Sequence, residues 1–278
     1  MIILVTGALG FVGSNFLELI FNNKNFERIY ILDNNSINLS KNYIPIGENP
    51  KITIINHDIT KKLNLNFKID IILHLAAAGN VVESVIDPLK NLESNVIGTL
   101  NILEFAKKSG VSKFIFSSTG GALMGDTLPP VNETSNPKPI SPYGASKLSC
   151  EGYISAYSNM YKFKSFILRF GNVFGPYCFH KKGVINKLFN SAIHNESFKV
   201  YGDGTSSRDY IYVKDISKAI LSCILNDSND LINTFHLSTG IETSLIKLID
   251  IVEQISNKKL KVEFLPSRVG EVYRNFAD

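Results

Sequence analysis

The chain has 278 residues, of which 44% are hydrophobic and 19% charged, and a formal net charge of +4. That is the make-up of a globular protein, long enough for one large core or two coupled lobes. The scattered basic residues argue against a nucleic-acid or membrane surface, no apolar run is long enough for a membrane span, and the mild positive balance suits a small anionic ligand.

Strand-like and helical patterns alternate from the first residue. IILVTG reads as a strand and FVGSNFLELIF as a helix with Val12, Phe16, Leu19 and Ile20 on its apolar face. RIYILD, ITIINHD and IDIILHLA are further strands, followed by one long helical stretch, PLKNLESNVIGTLNILEFAKK, and the strand KFIFSST. In SPYGASK, Ser141 suits a helix cap and Pro142 the first turn. The spacing that follows assigns the apolar face to Leu148, Tyr153, Ala156, Tyr157 and Met160. SFILRFGNVFG is the next strand. Beyond it come a helix around 184–194, the strand KVYG, the turn-rich DGTSSRD, the strand IYV and a helix from about Asp215, which serves as its cap. The strand FHLS, a helix over 244–256 and the strand KVEFL complete the pattern.

This alternation predicts an α/β fold: a Rossmann-type doubly wound parallel sheet with a smaller interleaved substrate-binding lobe. Residues 1–170 form the dinucleotide-binding part and 171–278 mainly the substrate lobe, parts of which return to the main sheet. Cys150, Cys178 and Cys223 are far apart and lack metal-ligand spacing. No metal site is expected, and the thiols are those of a reduced, cytoplasmic protein without a leader segment.

Gly7, Gly10 and Gly13 sit between the first strand and the first helix. Glycines there allow a tight turn, close approach of the backbone to a pyrophosphate, and close helix–sheet packing. The first helical turn, Phe11 and Val12, offers backbone N–H groups to phosphate charge. Asp33 ends the second strand and can accept hydrogen bonds from both ribose hydroxyls of NAD. It would repel a 2′-phosphate, and the adjacent Asn34 supplies no cation to welcome one, so NAD is favoured over NADP. Asp58 and Ile59 close the third strand, where they could grip an adenine, although Asp58 could equally cap a turn. Ala76, Ala77 and Ala78 close the fourth, small enough for a dinucleotide to lie across them, and Leu75 just before them is also assigned to the cofactor.

Tyr143 and Lys147 fall at i and i+4 at the start of their helix, on one face. A phenol titrates near 10, and a base working near neutrality needs roughly 4 kcal/mol of electrostatic help. The spacing predicts that Lys147 and the helix N-terminus lower the Tyr143 pKa.

Together TGALGFVG, Asp33, HLAAAGNVVES, NVIGTLNILE, FSSTGG and YGASK resemble the extended short-chain dehydrogenase/reductases, in particular nucleotide-sugar epimerases of the UDP-glucose 4-epimerase type. The resemblance runs the length of the chain. It implies a tightly held NAD, a nucleotide-sugar substrate, a homodimer, and a catalytic Ser/Thr–Tyr–Lys group. Thr119 falls at the catalytic hydroxyl, with Ser118 as the alternative if the loop is shifted by one residue and Ser117 beside the cofactor. Tyr143 and Lys147 match YxxxK, and Asn95 an asparagine near cofactor and lysine. In the second lobe the resemblance assigns Asn172, Val184, Arg208 and Arg268 to the sugar diphosphate and nucleotide. It places Asn275 beside the sugar C2, where a small side chain admits an N-acetyl group. It further implies a strand-and-helix segment beyond Asp278.

Several reactions share such a scaffold. A dehydratase needs an acid and a base after the threonine, whereas Thr119 is followed by Gly120-Gly121, with no carboxylate until Asp126. The expectation is therefore a nucleotide-sugar 4-epimerase. The alternatives are another NDP-sugar oxidoreductase, a 4,6-dehydratase or decarboxylase, or a non-catalytic NAD-binding regulator.

Overall fold

The computed structural model describes residues 1–35, 49–179, 181, 183–267 and 272–278. Seven parallel strands form the main sheet: β1 (Ile2–Thr6), β2 (Arg28–Asp33), β3 (Ile52–Asn56), β4 (Ile71–His74), β5 (Lys113–Thr119), β6 (Lys164–Phe170) and β10 (Ile232–Leu237). Their spatial order is β3-β2-β1-β4-β5-β6-β10, so the winding reverses between β1 and β4. A doubly wound sheet opens a crevice at such a reversal, beyond the carboxyl ends of its strands.

Alternation along β1 divides the core between the two faces of the sheet. Ile3 and Val5 pack with Phe16, Leu17 and Ile20 of α1 (Phe11–Ile20) and with Ile216, Ile220 and Ile224 of α8 (Val213–Leu225). Leu4 faces the other way, onto Ile102, Leu103 and Phe105 of α4 (Gly98–Ser109) and Cys150 and Ile154 of α6 (Pro142–Tyr161). Thus α8 and β10, from late in the chain, complete the main sheet.

The remaining late elements form the smaller lobe. Strand β9 (Ser207–Tyr212) pairs with β7 (Asn172–Phe174), β11 (Glu242–Ser244) and β13 (Arg274–Asn275). Strands β8 (Ser197–Tyr201) and β12 (Lys261–Leu265) pair separately, covered by α7 (Val184–His194) and α9 (Leu245–Ser256) around Leu188, Val200, Leu248 and Val252. The last residues are anchored: the Val131 N–H donates to Phe276 O at 3.1 Å, and the Asp278 N–H to Val131 O at 2.9 Å.

Four local readings are revised. The long helical stretch after β4 divides into α2 (Val81–Ile86), α3 (Pro88–Leu92), a π-helical turn over Glu93–Ile97, and α4. SFILRFGNVFG is two strands in different sheets, β6 and β7, parted at Gly171. Asp215 lies inside the first turn of α8 and pairs with Lys218, the cap position being Tyr212. On α6 the buried positions include Ser146, Lys147, Glu151 and Ser158, while Tyr153 and Met160 are exposed. Polar partners on the sheet, which periodicity cannot register, turn that helix.

Candidate active site

The cofactor crevice begins at the β1–α1 turn. Gly7 has φ +65°, and a Cβ there would lie 2.6 Å from the backbone of Ala76. Gly10 occupies the cap position of α1 without a side-chain cap, and the first turn holds no acidic residue. The positive end of the helix is therefore left for an external anion. The side chains of Phe11 and Val12 pack inward, so these residues present backbone to the crevice. Asp33 Oδ2 accepts the Leu9 N–H at 3.1 Å and Oδ1 the Asn35 N–H at 3.0 Å, with Asn34 exposed between them. Burial raises the Asp33 pKa and these N–H groups act against the rise. An uncapped helix N-terminus over a glycine turn, with a carboxylate at the end of the next strand, fits the pyrophosphate and ribose of a dinucleotide.

Asp58 is exposed, and its carboxylate accepts the Thr60 N–H at 2.9 Å. It caps a turn, while the buried Ile59 packs over Gly98. Leu75 and Ala76 are half-buried and Ala77 is exposed. A polar chain pins the bed they form. The Ala76 N–H donates to Thr6 Oγ1, and Thr6 Oγ1 lies 2.6 Å from His74 Nδ1. His74 Nε2 lies 3.0 Å from Thr99 Oγ1, which itself donates to Asn95 O. The Thr99 hydroxyl proton is thus committed, so His74 donates from Nε2 and accepts at Nδ1. Desolvation pushes this imidazole down to about 3, which keeps it neutral. Asn95, 1% exposed, accepts the Ala78 N–H at 2.7 Å and donates to Ser146 Oγ at 2.9 Å. The widened π-helical turn carries Asn95, a deviation often found at functional sites.

Strand β5 and helix α6 supply the polar centre. Ser141 caps α6 by accepting the Gly144 N–H, and the Ser84 hydroxyl accepts the Tyr143 N–H at 3.2 Å. Thr119 stands close enough to the Tyr143 phenol to act on its pKa. One turn on, Lys147 Nζ donates to Ser117 O at 2.8 Å and lies 4.6 Å from the Phe116 ring centre. The Ser117 hydroxyl donates to His74 O. Ser118 points away from Tyr143, donating to Glu151 Oε1 at 2.5 Å.

The electrostatics differ from the expectation that Lys147 makes the phenol acidic. Burial drives Tyr143 up to about 12, with Thr119 acting against it. Burial likewise drives Lys147 down to about 8, against the pull of Cys150 and Glu151. The lysine ammonium is spent on a carbonyl, and desolvation is the largest cause of both shifts.

Asn172, Arg208 and Asn275 come together on one small sheet. Asn172 lies opposite Tyr210, and Asn275 opposite Arg208. Arg208 donates to Ser207 O and Tyr273 O, and Val184 starts α7. Asn275 is 5% exposed, and its Oδ1 lies 3.1 Å from where a Gly121 Cβ would stand. Its Nδ2 has no protein partner among the described residues. Arg268 lies outside the described residues. Sequence reasoning missed Ser84, Ser146, Glu151 and Arg169. Of these only Glu151, four residues beyond Lys147, carried a spacing signal.

A dinucleotide crevice closed by a hydroxyl, a phenol and a lysine defines a nicotinamide-dependent oxidoreductase-type site. The sequence profile of the NAD dependent epimerase/dehydratase family matches residues 3–234. A putative UDP-glucose 4-epimerase of Methanocaldococcus jannaschii is 38% identical over 283 residues, covering 99% of this chain and 89% of that protein. The crystal structure of UDP-glucose 4-epimerase from Thermotoga maritima with UDP-glucose superimposes with a TM-score of 0.88 at 32% identity, covering 100% of this chain and 90% of that one. A UDP-N-acetylglucosamine 4-epimerase from Methanobrevibacter ruminantium M1, in complex with UDP-N-acetylmuramic acid, gives 0.89 at 31% identity, covering 99% and 88%. The chain belongs to the NAD dependent epimerase/dehydratase family, and its cofactor is NAD.

Proposed function

We propose that this chain inverts the C4 centre of a UDP-linked sugar, and that it accepts UDP-N-acetylhexosamines as well as UDP-hexoses. The placing of Thr119 by the Tyr143 phenol, with Lys147 one turn further along α6, carries this reading. Tyr143 takes the proton of the sugar 4-hydroxyl and returns it to the 4-keto oxygen once the sugar has turned its other face. Thr119 holds that oxygen in line with the phenol, and Lys147 holds the cofactor side of the site. NAD, held by the α1 N-terminus and Asp33, supplies the hydride acceptor and donor at C4. Ligand charge must also bring Tyr143 down from about 12.

Elimination is disfavoured because Glu151 and Glu133 near this loop are engaged and Asp126 is exposed to solvent. Glu151 is held by Ser118 and Arg169, and Glu133 accepts the His236 N–H at 2.6 Å. On the substrate side, Arg208 with Arg268 binds the diphosphate in bidentate fashion, with Asn172 at the sugar diphosphate and Val184 near the nucleotide. Asn275, short and with an Nδ2 that has no partner among the described residues, lies beside Gly121 and leaves room and a donor for an N-acetyl group. A homodimer is part of the same reading. Val82, Val85, Ile86 and Leu89 on α2 and α3, with Met160 on α6, expose apolar surface of the kind that a second copy covers.

The test is NMR of the protein with NAD and UDP-glucose, UDP-N-acetylglucosamine or UDP-glucuronate. The expected result is the 4-epimer with no accumulated NADH. Net consumption of added NADH would replace this reading with a reductase, and absence of conversion with bound NAD would support a regulator.

A further inference from the structure

Tyr143, Lys147 and Glu151 recur every four residues along α6 and so share one helix face. The first two carry the proposed chemistry. Glu151 is 7% exposed and is bound entirely to the sheet. The strand register puts Ser118, Arg169 and His236 in one row across β5, β6 and β10. Side chains of such a row stand on the same face. Ser118 Oγ donates to Glu151 Oε1 at 2.5 Å, Arg169 Nε to the same oxygen at 3.1 Å, and Arg169 Nη2 to Oε2 at 2.8 Å. A carboxylate gripped by a guanidinium fork and a hydroxyl has one orientation.

We propose that Glu151 is a positioning residue, which acts through Ser118 to hold Thr119 against Tyr143. Its catalytic consequence rests on the epimerase reading. Ser118 directly precedes Thr119, so pinning its hydroxyl fixes both the rotation and the height of the end of β5 relative to α6. Lys147, bonded to Ser117 O, pins the preceding peptide. Helix and strand then move as one body, and the hydroxyl and phenol keep their separation. A buried ion pair is a weak source of stability compared with apolar packing of the same volume, whereas it supplies a defined geometry. Neither Glu151 nor Ser118 touches the substrate.

The test is a double-mutant cycle on the NAD-loaded protein with Ser118→Ala, Glu151→Gln and the pair. Each single substitution is expected to lower kcat roughly ten- to hundredfold. KM for the sugar and NAD retention stay at wild-type levels, and the double variant is no slower than the worse single one. A wild-type kcat in either single variant overturns the proposal, as do losses that multiply. In particular, if Ser118 met the sugar itself, Ser118→Ala would lose turnover while Glu151→Gln kept it. Ser118→Ala leaves the Glu151–Arg169 pair intact and is the variant that folds most securely. A second measurement needs no turnover: the 13C-labelled Thr119 methyl is expected to report one rotamer in the wild-type protein and rotamer averaging in Ser118→Ala. An unchanged Thr119 signal overturns the tether. Absence of wild-type turnover defeats the epimerase reading alone, and the methyl signal still decides the tether.

Discussion

Alanine at Gly13 and alanine at Gly152 are the same chemical change, yet the structure gives them opposite signs. A Cβ at Gly13 would stand 2.5 Å from both Ala8 Cα and Ala8 O, and 2.6 Å from the carbonyl carbon. Non-bonded carbons settle at about 3.5–4.0 Å, so the start of α1 must move by roughly 1 Å. It cannot move freely, because Phe16, Leu17 and Ile20 are fully buried in the core shared with Ile216 and Ile220. Overpacking of this kind costs roughly 1–3 kcal/mol, less than the ~5–15 kcal/mol of a typical domain, so the variant folds. The same displacement carries the first-turn N–H groups away from the pyrophosphate, and NAD affinity is expected to fall at least about tenfold, or ~1.4 kcal/mol. At Gly152 an added Cβ meets nothing within 4 Å, and the site is exposed in the middle of α6. Alanine there is expected to stabilise by about 0.5–1 kcal/mol. Urea unfolding at one protein concentration, with calorimetric NAD titration, reads both variants. A Gly13→Ala protein with wild-type midpoint and NAD affinity would refute the packing argument.

Three further outcomes are expected. Tyr143→Phe removes the proton carrier but keeps the ring, so turnover by NMR should fall by roughly 10²–10⁴ with NAD retained; near-normal turnover would remove Tyr143 from the mechanism. Lys147, 2% exposed, is held at about 8 against 10.5 for a free lysine. The unfolded chain therefore binds more protons between those values, and stability rises with pH across that window. Lys147→Met should raise the unfolding free energy at pH 7 by up to about 3 kcal/mol, the gain vanishing towards pH 10.5, while turnover is lost. A gain independent of pH would contradict the assigned cause. Asn275→Tyr should depress turnover of the N-acetyl sugar selectively, and equal loss on both sugars would end the space argument.

Much of the cofactor half was legible in the chain itself. Gly7, Gly10, Gly13 and Asp33 are read from spacing because each answers a local demand: a positive φ, a close backbone approach, a carboxylate at a strand end. SPYGASK was legible for the same reason, since a cap, a first-turn proline and an i, i+4 pair are all settled within two helical turns. The handedness of successive crossovers narrows the strand order, but the reversal that opens the crevice between β1 and β4 is fixed only in the assembled sheet.

What the amino-acid sequence determined, then, are the features that depend on neighbours a few residues apart. The tertiary structure alone decided the rest. It turned Ser118 toward Glu151 and left Thr119 to Tyr143, two adjacent hydroxyls that no local rule distinguishes. It buried the polar face of α6 because Ser118 and Arg169 wait on the sheet, 33 and 18 residues away from Glu151 in the chain. It reversed the direction of the Tyr143 pKa, because desolvation belongs to the packed environment and not to the spacing of two side chains. It also seated Asn275, from the end of the chain, beside Gly121. Contacts of that separation exist only once the sheet has assembled.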